Sequence, residues 1–312
     1  MKRLPILFSL VLLLFVQVPK VTAQYYFYDN SHYDNPVLFE LGGSIALMNC
    51  LTDLGGKKGI GKKFVKDLNY GNTQLAGSIF ANVMYKSAIG VRLEGTFGQI
   101  KAFDSILKNV KSTTYGRYER NLHFRSSISE ASLTVEIHPL FLFINWESRE
   151  GDPPRYSPYL VGGIGVFNFN PQAKIGNNWI DLQPLSTEGQ GFAEYPDRKV
   201  YKLTQVNFPI GVGMKYELSS MFNLRAECVY RILKTDYLDD VSTTYIDPAL
   251  FRKYFTGTKL QNALILNDRQ AELDPTHVTN IGDLRGYPHN NDGYFTFNLK
   301  ISLILGRQRI GK

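Results

Sequence analysis

Several long segments of this chain carry charged residues only at alternate positions, and the positions between them carry no charge. In Phe222–Ile232, for example, Leu224 and Cys228 share one face, whereas Arg225 and Glu227 share the other. A period of two predicts β-strands, because successive side chains of a strand point to opposite faces. Runs of about ten or more residues are long for a soluble strand and suit a tilted strand that crosses a membrane.

The same pattern recurs often enough to predict an all-β fold with about eight strands. The arrangement that suits such strands is a transmembrane antiparallel up-and-down β-barrel. The predicted strands are Val37–Met48, Gln74–Tyr85, Ala88–Ile100, Ser126–His138, Pro158–Phe169, Val206–Tyr216, Phe222–Lys234 and Tyr294–Leu305. The fourth strand has a possible extension through Leu140–Asn145, and the fifth is apolar on both faces.

The connections between the predicted strands alternate between short and long. The short ones are Lys86–Ser87, Glu147–Tyr156 and Leu218–Met221, and the long ones are Asn49–Asn72, Lys101–Phe124, Asn170–Thr204 and Thr235–Asp292. Outer-membrane barrels have short periplasmic turns at one rim and long extracellular loops at the other. We therefore expect both termini on the periplasmic side, with Tyr85, Tyr216 and Phe222 in an aromatic girdle beside the short turns.

Alternation alone leaves open which face lies inside, since a lipocalin-like soluble barrel would point its apolar face inward. The charges on the polar face favour the membrane barrel, because nearly equal numbers of opposite charges can pair across a narrow lumen. An eight-stranded barrel is just wide enough for its own side chains to fill, so we expect a plugged lumen. The charged residues of the polar face are Glu40, Glu94, Glu130, Glu136, Glu217, Glu227, Arg92, Lys215, Arg225, Arg231 and Lys300.

The first residues have the pattern of a secretory signal peptide. Basic Lys2 and Arg3 precede the apolar run Leu4–Val18, and small residues lead to a cleavage site after Ala23. We therefore predict a signal peptide over residues 1–23, a barrel domain over residues 24–312 and a location in the outer membrane. Cys50 and Cys228 are expected to be unpaired, because one lies at a strand end and the other in mid-strand.

No motif in the sequence makes a strong case for catalysis or for a cofactor. Gly56–Lys62 has the spacing of a phosphate-binding loop, but Lys63 stands where that loop needs Ser or Thr. Four acidic residues after the seventh strand, Asp236, Asp239, Asp240 and Asp247, are dense enough for Ca²⁺ and resemble the acidic groups of outer-membrane proteases. We favour a solvated acidic loop, and we expect neither enzymatic activity nor a cofactor or metal.

Three segments resemble the PorG-type outer-membrane barrels of the Bacteroidota type IX secretion system. They are Met48–Gly56, Leu182–Gly191 and Thr235–Tyr245, of which the last is the most specific. Cys50 and Leu51 depart from the aromatic residue and glycine expected in the first segment. The motif residues that carry the resemblance are Asp53, Gly55, Gly56, Glu188, Gly189, Asp236, Tyr237, Asp239 and Asp240.

The resemblance implies a non-enzymatic protein that anchors or organises a secretion complex, in a class of bacteria that includes gliding species. Its implied partners are outer-membrane lipids and a periplasmic ring of PorK- and PorN-like proteins, with no nucleic acid. The alternatives are a passive structural barrel or small pore of the OmpA or OmpW kind, and an outer-membrane hydrolase. Aromatic residues and arginine are enriched in the hot spots of protein interfaces. The candidate contacts on the periplasmic side are therefore Trp146, Arg149, Arg155, Tyr25, Tyr26 and Arg307.

Overall fold

A computed structural model describes residues 36–56, 69–108, 115–144, 154–219, 221–288 and 290–305. These residues form nine strands, β1 to β9, which are Val37–Leu51, Gln74–Tyr85, Ile89–Phe103, His123–Ile137, Tyr156–Ile175, Asn178–Asp181, Thr204–Glu217, Phe222–Leu233 and Gly293–Leu305. The α-helices α1 to α4 are Tyr115–Arg120, Pro139–Phe143, Phe251–Tyr254 and Gly257–Asn267. The 3-10 helices are Tyr70–Asn72, Asp104–Leu107, Gln183–Leu185, Pro248–Leu250 and Gln270–Glu272. None of the described helices has the length and apolar character needed to cross a membrane.

Eight of the nine strands close into one antiparallel barrel. Strands β1 to β5 pair in chain order, β5 continues to β7, β8 and β9, and β9 pairs with β1. The short strand β6 adds only to the far end of β5, where Gln172 faces Asp181. The predicted closed barrel of eight antiparallel strands is therefore confirmed.

Several predicted strand ends were wrong, mostly at the long-loop rim. Strand β5 runs to Ile175 instead of ending at Phe169, and β6 lies within a segment that we expected to be a loop. The fourth strand does not extend through residues 140–145, because Pro139 lacks the N–H that a ladder needs and begins α2 instead. In β5, a side chain at Gly163 would collide with the backbone oxygen of Leu133, so glycine is required where β4 approaches.

The barrel is apolar outside and charged inside. Ile45, Ile79 and Leu93 on the outer face are 70%, 68% and 60% exposed, whereas Arg92 and Glu136 on the inner face are 1% and 0% exposed. A soluble barrel has the opposite arrangement, because apolar side chains avoid water and charges seek it. The outer surface therefore requires lipid, and the chain is a transmembrane barrel of the outer-membrane type.

The two rims of the barrel differ as the loop lengths predict. At one rim, Lys86 and Ser87 adopt positive φ angles of 48° and 55°, which a tight two-residue hairpin turn needs. The chain also begins and ends its described strands at this rim, where the N–H of Lys86 donates to the carbonyl oxygen of Pro36. Tyr85, Tyr216 and Phe222 are exposed there, as expected of an interfacial girdle. Both cysteines are free, as predicted.

The contrast between the two faces can be measured at adjacent residues of β9. Replacing lipid-facing Ile301 by Arg should cost about 2–4 kcal/mol of folding free energy near the bilayer midplane. Replacing inward-facing Ser302 by Ala should cost about 1 kcal/mol, because it removes one hydrogen bond to Glu40. Urea titration of the protein folding into liposomes would measure both. Equal costs at the two positions would contradict the orientation of the barrel.

Candidate functional site: the filled lumen and the extracellular cap

The middle of the lumen is occupied by a network of ion pairs that joins opposite walls. Arg92 of β3 contacts Glu136 of β4 at 2.7 Å and Glu227 of β8 at 2.8 Å. It also lies 3.1 Å from Glu94, its neighbour on the same face of β3. Lys300 of β9 contacts Glu94 and Glu227 at 2.6 and 3.0 Å. One guanidinium and one ammonium group therefore join four strands of the ring, β3, β4, β8 and β9.

A second part of the network lies nearer the periplasmic rim. Arg225 of β8 donates to Glu136 at 2.6 Å and also pairs with Glu40 of β1. The hydroxyl of Tyr159 donates to Glu227 at 2.8 Å, and its ring lies over the Arg225 guanidinium. Because Arg225 and Arg92 share Glu136, the two parts form one connected network.

Towards the extracellular rim, a third group closes the lumen. Arg231 of β8 lies 3.1 Å from Glu130 of β4, and the Tyr294 hydroxyl donates to the same carboxylate at 2.9 Å. Asn207 donates in turn to the Tyr294 oxygen at 2.9 Å. The buried lumen charges comprise five Glu and five basic residues, so their formal charges cancel: Glu40, Glu94, Glu130, Glu136, Glu227, Arg92, Lys215, Arg225, Arg231 and Lys300. Glu217, predicted to join them, is only half-buried at the short-turn end.

The described parts of the long loops do not extend freely from the rim but fold into one packed body, which we call the cap. Its apolar core starts on barrel residues such as Ile100, Phe124 and Phe169 and continues into loop residues such as Leu182 and Leu238. Helix α4 joins the same core through Ala263 and Leu266. The cap is thus an extension of the barrel core above the membrane.

The three segments that carry the family resemblance meet inside this cap. The N–H of Leu54 in the first segment donates to Asp239 in the third at 3.1 Å. Thr187 in the second segment donates to Asp240 at 2.5 Å, and Glu188 accepts from the N–H of Ser242 at 3.0 Å. Motif residues from three loops therefore build the polar interior of the cap.

The remaining motif residues have structural roles in the same place. Gly55 and Gly189 adopt positive φ angles of 71° and 76°, and a side chain at Gly55 would lie 2.8 Å from the backbone nitrogen of Phe103. Gly56 is buried beside it. Tyr237 stacks on Tyr201 with ring centroids 5.0 Å apart. The motif residues thus determine how the loops pack.

Two buried arginines, which sequence reasoning missed, connect the motif segments to the other loops. Arg120 donates to Asp104 at 2.9 Å and to the carbonyl oxygens of Asp53 and Arg285 at 2.8 and 2.6 Å. Arg285 pairs with Glu188 at 2.9 Å and donates to the Asp240 carbonyl oxygen at 2.7 Å. Isolated arginines in long loops carry no spacing pattern, so only the folded structure identifies their role.

The acidic residues after β8 are buried, which corrects the prediction of a solvated acidic loop. Burial, together with the nearby Asp53 carboxylate, raises the pKa of Asp236 and of Asp239 to about 8. Burial also raises the pKa of Asp53 and Asp240 to about 6, and it raises the pKa of Asp292. Within the described part of the chain, no group of three or more His, Cys, Asp or Glu residues could hold a metal ion.

Asp247 stands apart from these buried carboxylates. Its side chain accepts the N–H of Ala249 at 2.9 Å and caps the short helix that follows. That N-cap bond is a structural role, since it satisfies one of the amides left free at a helix start.

Of the candidate periplasmic contacts, Arg155 is described and lies exposed at the short-turn rim. Its carbonyl oxygen accepts the N–H of Glu217 at 2.7 Å, which fixes the backbone there. Trp146, Arg149, Tyr25, Tyr26 and Arg307 lie outside the described residues, as does most of the Gly56–Lys62 segment. The contact prediction therefore stays a prediction for these residues.

Comparisons with known proteins do not assign this chain to a protein family. No protein-family model and no curated protein matches the chain. Among solved structures, Neisserial surface protein A has a TM-score of 0.39 and 7% identity, over 85% of this chain and 96% of its own. OprG of Pseudomonas aeruginosa gives 0.35 and 9%, over 86% and 95%. The outer membrane protein AlkL gives 0.34 and 12%, over 89% and 94%. The class assignment rests on the strand pairing and the charge distribution: this is an integral outer-membrane β-barrel with a folded extracellular cap.

Breaking the lumen network should be costly. Replacing Arg92 by Met removes the cation that contacts Glu94, Glu136 and Glu227 together, so we expect about 3–5 kcal/mol of destabilisation. The matched replacement of exposed Arg252 by Met should change stability by less than about 0.5 kcal/mol. Urea titration in liposomes would measure both, and a small effect at Arg92 would show that the network is not stabilising the barrel.

The cap should loosen as the pH rises. Asp53, Asp236, Asp239 and Asp240 have pKa values of about 6 to 8 in the folded cap, above the usual value near 3.9. The folded cap therefore binds more protons than the unfolded loops, so its stabilisation is complete below about pH 4 and is lost as the pH rises through 6 to 8. Hydrogen exchange of the loop amides, corrected for intrinsic rates, should be faster at pH 8.5 than at pH 5.

The Asp236→Asn variant should weaken this pH dependence, because an amide does not titrate. The same replacement at exposed Asp197 is the matched control and should leave the pH dependence unchanged. Slower exchange of the loops at pH 8.5 would contradict the assignment of buried, protonated carboxylates.

Proposed function

We propose that this protein is a non-enzymatic anchor that holds a protein complex at the outer membrane. The main support for this proposal is the ion-pair network across the lumen, in which Arg92 and Lys300 join β3, β8 and β9. A barrel whose cross-section is filled by its own paired side chains is suited to fixing a position in the membrane. A channel would need an aqueous path through the same space.

The cap supports an anchoring role because it makes the extracellular side rigid. Arg120 and Arg285 tie together loops that are far apart in sequence, and the apolar core continues from the strands into these loops. A folded cap gives any partner a fixed surface, so binding does not have to order loose loops first.

For the identity of the complex, we propose secretion machinery of the type IX kind, reached through a periplasmic ring of PorK- and PorN-like proteins. The support is the resemblance of three segments to PorG-type barrels. These segments meet through bonds such as Leu54 to Asp239 and Ser242 to Glu188, so the resemblance concerns one folded unit.

The absence of catalysis is part of the same proposal. In the cap, Asp239 accepts hydrogen bonds from the backbone N–H groups of Leu54 and Val241. Asp240 is likewise occupied by Thr187 and Tyr201. Carboxylates that hold loops together are poorly placed to act on a substrate, which disfavours the hydrolase alternative.

A passive structural barrel of the OmpA or OmpW kind is the second candidate, since the filled lumen suits it equally. Co-purification decides between the two. A variant with Trp146, Arg149 and Arg155 replaced by Ala should lose the periplasmic ring proteins, because aromatic and arginine residues are enriched in interface hot spots and these three lie in sequence at the predicted turn Glu147–Tyr156. A variant with exposed Arg252 in α3 of the cap replaced by Ala should retain them.

The Lys57–Lys63 deletion in the opposite rim is a second control and should also retain the ring. If no ring protein co-purifies with the unchanged protein, the passive barrel replaces the anchor. If only the Lys57–Lys63 deletion releases the partners, the docking side is wrong.

A conductance measurement tests the filled lumen directly. In planar bilayers the unchanged protein should show no stable single-channel conductance. The Arg92→Ala variant should show intermittent conductance, because it removes the cation shared by three carboxylates. Steady ohmic conductance by the unchanged protein would favour the small pore over the anchor.

A further inference from the structure

An open groove on the cap lies apart from both the lumen network and the buried carboxylates. It has a volume of about 520 Å³ and runs between the β5–β6 hairpin and the first turn of α4. Its walls include Gln172, Trp179, Asp181, Lys259 and Asn262. The volume falls within the range of about 300–1,000 Å³ that is typical of small-molecule sites.

The indole of Trp179 is held in place on the groove wall. The guanidinium carbon of Arg125 lies 4.0 Å from the ring centroid, and the His123 ring meets the indole edge-on at 6.1 Å. An aromatic ring fixed in this way loses little conformational freedom when a ligand packs against it. Trp179 therefore offers a preorganised apolar surface beside polar groups.

The polar side of the groove is preorganised by the same arginine. Arg125 donates to the amide oxygen of Gln172 at 3.1 Å, and the amide nitrogen of Gln172 donates to Asp181 at 2.6 Å. Asn170 donates to the same oxygen of Asp181 at 2.9 Å. Both bonds fall on Oδ1 of an exposed carboxylate, and no side chain among the described residues donates to Oδ2, which leaves that oxygen to accept from a ligand.

The other polar groups on the groove walls indicate the charge and polarity of a ligand that would fit. Lys259 and Asn262 of α4 also line the groove, and the Lys259 ammonium lies 4.1 Å from the centroid of the Phe255 ring. An anionic ligand would face the Asp181 carboxylate, and a cationic ligand would face Lys259. A purely apolar ligand would leave these polar groups without partners, which is unfavourable.

We propose that this groove binds a neutral saccharide. A pyranose ring has an apolar face of C–H groups that can pack on the Trp179 indole, and it has hydroxyls that donate to Asp181. Lys259 and Asn262 can donate to other hydroxyl oxygens of the ring. The site is independent of the periplasmic contacts of the proposed function, because the groove belongs to the extracellular cap.

The experiment uses the fact that the chain has only two tryptophans. In a Trp146→Phe background, Trp179 is the sole indole, so its fluorescence reports on the groove alone. The barrel in nanodiscs is titrated with maltohexaose, cellohexaose and mannohexaose, and isothermal titration calorimetry measures the affinity. We expect a saturable change in emission with at least one of these neutral probes.

Variants separate a specific site from a general effect. Asp181→Asn and Trp179→Ala should weaken the binding of that probe by at least about tenfold, and Trp179→Phe should retain part of it. Lys202→Ala, at an exposed position outside the groove, is the matched control and should leave binding unchanged. The shift in gel mobility between unheated and boiled samples checks that each variant is folded.

The saccharide could be attached to a lipid of the outer leaflet or free in the surroundings, and a second arm distinguishes the two. Nanodiscs with smooth lipopolysaccharide are compared with nanodiscs whose lipopolysaccharide lacks the polysaccharide chain. A Trp179 response to the smooth form indicates a lipid-linked glycan, whereas a response to free hexaoses alone indicates a soluble one. Either result supports the site.

Three results would overturn the proposal. The first is the absence of a saturable response to every neutral probe and to smooth lipopolysaccharide. The second is binding that survives Trp179→Ala in a folded protein. The third is binding of sulfated oligosaccharides without any binding of neutral ones, since that would make the groove an anion site.

Discussion

The pairing of buried charges across the lumen is the constraint on which the rest of this barrel depends. A ring of eight strands leaves room for side chains only, so a charge that points inward must find its partner among the other inward-pointing side chains. Arg92 meets this requirement by reaching Glu136 and Glu227, and Arg225 meets it by reaching Glu40. The contacts of Arg92 with Glu227 and of Arg225 with Glu40 join strands that are not neighbours in the sheet. They therefore reinforce the closure of the barrel, which the hydrogen-bonded ladders alone establish only between adjacent strands.

Buried charges must also find partners within the cap, where they lie among loops and not between strands. Arg120 and Arg285 are buried among loop carbonyls and carboxylates, and each satisfies several acceptors that would otherwise lie without donors. Because the apolar core runs without a break from strand residues such as Phe169 to loop residues such as Leu238, barrel and cap share one interior. The loops can then carry a built surface feature, the groove at Trp179, whose polar groups are positioned by bonds within the cap.

The two faces of the protein are thus suited to different partners. The periplasmic rim has short turns and an aromatic girdle, and its exposed backbone near Arg155 is fixed by the bond to Glu217. The extracellular side carries the rigid cap with its mixed polar and aromatic groove. A filled lumen separates them, so binding on one side does not require passage through the barrel. In the two proposals made above, the protein is an anchor that would meet protein on one side and glycan on the other.

The sequence by itself determined the eight strands, their antiparallel order, the difference between the rims and the near balance of opposite charges on the inner face. It could do so because alternation is a local property in which each residue's face depends only on its position along the strand. The tertiary structure alone decided which charges pair, and it showed that β5 extends six residues beyond its predicted end. It alone also showed that Asp236 and Asp239 are buried, where sequence reasoning expected a solvated loop. These features depend on residues far apart in the chain, such as Leu54 and Asp239, which are separated by 185 positions. No local pattern records such a contact, because it forms only when the closed barrel brings the ends of its strands to one rim.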